Sequence, residues 1–153
     1  MQWGVKIEGG HIETIEKLVA SGIPVMGHVG LTPQSLHQLG GYRVQGRSDG
    51  DAILQAALAI EKAGAFAIVL ELMTAELAAR ITAALSIPTI GIGAGIDCDA
   101  QVLVWTDLMG ITKNPPKLAK AYRNLRAEMT AAAQEFATDV KSGEFPGPNQ
   151  SFN

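Results

Sequence analysis

Lys6 and Glu8 stand two residues apart in VKIEGGH, alternating with the branched apolar residues Val5 and Ile7. That alternation reads as a strand over Val5–Glu8, ended by Gly9 and Gly10, and it puts both charges on one face. His28 closes a second apolar run, IPVMGH, and Glu71 closes a third, AFAIVLE. A lysine can face an anionic oxygen. A carboxylate can move a proton or hold a hard cation, and a histidine can do acid–base work. Each residue also has a plainer reading. A charged strand pair is usually a solvated face, a carboxylate after a buried strand often caps a helix or joins a loop salt bridge, and a lone histidine is often a hydrogen-bonded core residue.

Other motifs carry less. GIGAG, Gly91–Gly95, lacks the G-x-G-x-x-G spacing, and no G-x-x-x-x-G-K-[ST] is present, so a nucleotide reading is weak. Its glycines are expected to let backbones pack closely. Cys98 has no partner base in view, and Asp97 and Asp99, which flank it, are common turn formers.

These residues need elements to position them, and strand and helix patterns alternate along the chain. Ile12, Ile15, Leu18 and Val19 repeat at helical spacing up to Gly22. Ile23–His28 reads as a buried strand. Asp51 is expected to cap a helix closed by Gly64. Ala65–Glu71 is continuously apolar before its glutamate, as in a strand covered on both faces. Thr74 starts a helix through Leu85, IPTIGIGAG is a strand running into glycines, and VLVW, Val102–Trp105, reads as a further strand. Pro116 to about Ser142 reads as helical, and GEFPGPNQSFN as a tail. The segment from Gly27 to Asp51 is too long for an ordinary connection, and its Tyr42, Arg43, Val44 and Arg47 suggest a lid or an interface.

The alternation predicts an α/β fold with parallel strands, in which polar residues at the carboxyl ends form the site. A closed (β/α)8 TIM barrel takes eight strands and about 250 residues. This chain has 153 residues and about five predicted strands, so it reads as one partial barrel domain over residues 1–153. Its βα units occupy about 1–115, helices 116–142 and the tail 143–153.

Composition narrows the function classes. At 47% hydrophobic and 18% charged, the chain can bury a core. A net charge of −3 gives no basic excess for nucleic acid or anionic lipid. No apolar run is long enough to span a membrane, and the N-terminus has no signal-peptide h-region. One cysteine cannot form an internal disulfide, which fits a cytoplasmic protein.

VKIEGG, GHVGLTPQS, GGYRVQGR, the VLE that ends a strand, IPTIGIGAG and the FPG…SF tail together resemble the ketopantoate hydroxymethyltransferase family. The resemblance runs from Val5 to Phe152. It implies a (β/α)8 barrel of the phosphoenolpyruvate mutase type. It also implies transfer of a hydroxymethyl group from 5,10-methylenetetrahydrofolate to 3-methyl-2-oxobutanoate with Mg²⁺, in pantothenate and coenzyme A synthesis. By the same resemblance Lys6 binds the oxo acid, Glu8 belongs to the Mg²⁺ site, Glu71 is the proton acceptor and His28 faces the substrate pocket. A homo-oligomer is implied for the whole enzyme. The family's N-terminal half, with two Mg²⁺-site aspartates and a serine for the oxo acid, has no counterpart here, so the chain alone is expected to be inactive. Ala100, and Asn149 with Gln150, depart from the family pattern. The alternatives are a non-catalytic half-barrel that only assembles or binds, and a lyase or mutase of the same superfamily.

Overall fold

The structure is a computed structural model that describes residues 3–35, 41 and 43–152. Five parallel strands form one sheet in sequential order: β1 (Val5–Lys6), β2 (Val25–Gly30), β3 (Ala67–Glu71), β4 (Thr89–Ile92) and β5 (Ala100–Gln101). Helices α1 (Ile12–Ala20), α2 (Gly50–Lys62) and α3 (Ala75–Ala84) fill the first three connections. A parallel sheet that grows by one strand per βα unit, without reversing order, is the progression of a barrel wall rather than of a doubly wound sheet. The fold is thus a partial barrel of the TIM type.

The period of two divides the sheet's residues between its faces. Register pairs Gly27 with Ile68 and Val29 with Leu70. Val25, Val29, Ile68 and Leu70 are buried in one core with Ile15, Ile60, Leu77 and Ile81 from the helices. The other face carries Lys6 beside Met26, His28 beside Val69 and Gly30 beside Glu71. This division puts the predicted site residues on the face away from the helices.

The contacts of the chain separate two compact units, one ending at Val102 and one beginning at Leu103. The second unit holds α4 (Trp105–Leu108) and α5 (Leu125–Ser142). Within it, the Tyr122 amide donates to the Leu108 carbonyl at 2.8 Å, and the Phe136 and Phe145 rings meet edge-on at 5.2 Å. No residue of α5 is buried. No helix of the described residues is long and apolar enough to cross a membrane.

Several boundaries differ from those the sequence suggests. β1 ends at Lys6, so Glu8 lies just past it, although the Ile7 and Gly9 amides go on donating to the Met26 and His28 carbonyls of β2. Asp49, not Asp51, precedes α2; Asp51 is in its first turn and pairs with Arg80 at 2.6 Å. VLVW is not a strand. The Val102 amide makes the last bond to β4, at Gly91, and Val104 already caps α4. The helix expected from Pro116 starts at Leu125, where the Asn124 side chain accepts from the Ala127 amide. Thr74 caps α3 as expected, its hydroxyl accepting from the Leu77 amide. Gly95, at φ +86°, lies directly against Ala75 at the start of α3, a close approach of the kind expected of GIGAG.

Candidate active site

Glu71 is the last residue of β3 and Leu72 follows it at φ +45°, the one non-glycine residue with positive φ among those described. A branched side chain in that region costs about 1–3 kcal/mol, so its surroundings must hold it there. The Leu72 amide donates to the Ile92 carbonyl at 2.9 Å, and its carbonyl accepts from the Gln45 amide at 2.8 Å. The Thr74 amide donates back to Gln45. The long segment after β2 is therefore pinned at Gln45 across the end of β3. Tyr42 of that segment lies outside the described residues.

The four predicted residues come together at the carboxyl ends of β1, β2 and β3. The Lys6 ammonium lies 3.0 Å from Glu8 Oε1 and 2.8 Å from His28 Nδ1. His28 Nδ1 is 3.6 Å from Glu8 Oε1, and His28 Nε2 is 3.1 Å from Glu71 Oε2. His28 is 1% exposed, whereas the Lys6 side chain is 42% exposed. The cluster is thus closed at the histidine and open at the lysine. An ammonium has donors only, so Nδ1 must accept and the ring proton sits on Nε2. That Nε2–H approaches Glu71 without the direction of a hydrogen bond, and it has no other partner among the described residues.

Burial alone would push the Glu8 carboxyl up. The Gln34 amide, donating to Oε2 at 3.1 Å, and the bond and charge of Lys6, with His28 beside them, outweigh it and hold Glu8 below its usual value of 4.5. A depressed carboxylate favours the folded state fully above 4.5, and that contribution fades as pH falls through the lower folded value. Urea unfolding of the parent and Glu8→Gln is therefore expected to show a stability gap at pH 7 that narrows on acidification below 4.5. A gap that widens there would contradict this electrostatic balance.

Glu8 offers a hard oxygen donor of the type Mg²⁺ takes. It fits as a single ligand. Among the described residues no group of three His, Cys, Asp or Glu side chains is placed to hold a metal. The remaining candidates are structural. Asp99 accepts from the Thr89 amide and hydroxyl, both at 2.8 Å, and these bonds hold its carboxyl below the usual range. Cys98 is buried, and burial pushes its thiol up.

Residues 2–148 match the family described as ketopantoate hydroxymethyltransferase. The chain belongs to the ketopantoate hydroxymethyltransferase family. It is 59% identical over 152 residues to a protein of Acidothermus cellulolyticus, covering 97% of this chain and 56% of that relative. It is 58% identical over 148 residues to one of Rippkaea orientalis, covering 94% and 57%. A Nocardioides protein is 53% identical over 153 residues, covering 97% and 52%. All three are named 3-methyl-2-oxobutanoate hydroxymethyltransferase. The chain spans about half the length of the curated relatives it matches.

Gln34, Gln45 and Leu72 were not among the residues singled out by sequence. Gln34 and Gln45 act here through backbone groups, and Leu72 through its φ, none of which a side-chain motif displays. The one available signal was the length of the segment after β2, which marked it as more than a linker.

Proposed function

We propose that this chain carries the oxo-acid-activating part of a 3-methyl-2-oxobutanoate hydroxymethyltransferase. That enzyme moves a hydroxymethyl group from 5,10-methylenetetrahydrofolate to 3-methyl-2-oxobutanoate and yields ketopantoate. The observation that supports this reading most is the row Glu8, Lys6, His28 and Glu71 toward the carboxyl ends of adjacent strands, with the Lys6 ammonium between Glu8 and His28 and the His28 ring reaching on to Glu71.

Lys6, the most open member of the row, faces the carboxylate or keto oxygen of the oxo acid. Glu71 takes the C3 proton. The C3–H electron pair moves into the C2–C3 bond as negative charge builds on the keto oxygen, which the positive charge of Lys6 stabilises. The resulting nucleophilic C3 bonds to the folate's one-carbon unit as one carbon–nitrogen bond of that unit breaks and its electron pair returns to nitrogen. Water then replaces the second folate nitrogen, supplying the hydroxyl, and tetrahydrofolate leaves. Glu8 is the residue of this row that would hold Mg²⁺, and the ion would supply further positive charge for the developing enolate.

Lys6→Ala in the enzyme completed with the remaining part of the fold tests this arrangement. Loss of a charge-assisted contact of about 1.5–3 kcal/mol weakens oxo-acid binding about 10- to 100-fold. Folate binding is expected to change little, and calorimetric titration of each ligand reads both. Equal losses for the two ligands would make Lys6 a structural residue and contradict the reading.

A further inference from the structure

We propose that His28 is a positioning residue that anchors Oε2 of Glu71 and leaves Oε1 to take the substrate proton, with Lys6 fixing the tautomer this requires. The inference rests on the proton-acceptor reading of Glu71 given above.

His28 is set by its backbone. It sits two residues before the carboxyl end of β2, in register with Val69, and its carbonyl accepts from the Gly9 amide at 2.9 Å. With 1% of its surface exposed, the ring is shut off from bulk solvent. Lys6 takes Nδ1 at 2.8 Å, so the proton is confined to Nε2. A buried N–H left unpaired costs about 1–3 kcal/mol. Glu71 Oε2 is the acceptor at hand, 3.1 Å away and misaligned. The terminal torsion of a glutamate is broad, so a small turn of the carboxylate aligns the bond at little cost. The backbone of Glu71 does not need to move, since Leu72 and Gln45 pin it. Turning the carboxylate onto Nε2 fixes one oxygen and orients the other. A base so held meets the C3 proton in one orientation instead of many.

Two substitutions separate positioning from packing. Asparagine at 28 can keep an acceptor near Nδ1 for Lys6 but has no donor at the Nε2 position. Glutamine places an amide N–H close to where Nε2–H was. Exchange of the C3 proton of 3-methyl-2-oxobutanoate into deuterated water, followed by NMR on the completed enzyme, reads both. His28→Asn is expected to lower kcat for exchange about 10- to 100-fold with KM nearly unchanged. His28→Gln is expected to restore most of the loss. Equal losses in the two variants, or parental exchange in His28→Asn, would overturn the proposal. The tautomer needs no variant. Long-range ¹H–¹⁵N spectra of the unsubstituted chain are expected to show His28 protonated at Nε2, and protonation at Nδ1 instead would overturn the proposal even if neither variant folds. Glu71→Gln separates the two readings. Exchange that survives it removes the proton-acceptor role and the proposal together. Exchange lost there yet intact in His28→Asn removes only the role of His28.

Discussion

Glu71→Gln is expected to abolish C3 proton exchange in the completed enzyme, lowering it about 100- to 10,000-fold, the usual worth of a placed general base. The substitution removes basicity and little else. Glutamine has the size of glutamate, and its amide oxygen can still accept from His28 Nε2–H. The strained Leu72 and its bonds to Ile92 and Gln45 involve backbone, so they persist. Binding of the oxo acid should therefore survive while exchange does not, which separates chemistry from folding. The circular dichroism of the variant should match the parent. Exchange at a near-parental rate would remove Glu71 from the base role.

A polypeptide of these 153 residues made alone is expected to bind Mg²⁺ weakly, to show no turnover and to self-associate. Mg²⁺ needs near-octahedral oxygen ligation and gives up its waters reluctantly. Glu8 is one carboxylate, and both its oxygens already have partners, Lys6 on Oε1 and the Gln34 amide on Oε2. Self-association has a separate cause. Among the described residues β1 and β5 each pair on one side only, and an unpaired strand edge is a template for another chain. Beside the β1 edge, Trp3 is 85% exposed and Phe66 is 48% exposed, with Pro24 and Met26 lining the hollow between them. Apolar surface of this kind drives association. Light scattering after size-exclusion chromatography, with a Mg²⁺ titration, checks each part. A stable monomer that binds Mg²⁺ with about micromolar affinity would contradict both arguments.

Where burial and period agree, the elements could be read from the residues. Ile12, Ile15, Leu18 and Val19 face one core because their spacing is helical, and α1 follows it. AIVLE is buried on both faces, Ile68 and Leu70 in the core with the helices and Ala67 and Val69 on the other side, which is why it reads as continuously apolar up to Glu71. The polar residues that end these strands are the ones the fold brings together. VLVW misled because apolar composition reports burial more than strand pairing. The ladder instead takes Ala100 and Gln101, set by register with Ile90 and Gly91 rather than by propensity. The start of α5 misled in the opposite way. Lys117–Lys120 holds good helix formers, yet Pro115 and Pro116 precede it and Asn124 supplies the cap that decides where the helix begins.

The site was legible as a set of residues and not as a row. Periodicity puts Lys6 and Glu8 together. It cannot show that His28, twenty-two residues beyond Lys6, lies between Lys6 and Glu71. That arrangement comes from the pairing of three strands, a long-range property with no local signal.

The crystal structure of the completed enzyme with 3-methyl-2-oxobutanoate tests the central claim most directly. C3 is expected about 3–3.5 Å from Oε1 of Glu71, in near-attack geometry, with the Lys6 ammonium on an oxygen of the oxo acid. An oxo acid bound at these strand ends with C3 turned away from Glu71, or bound elsewhere in the fold, would contradict it.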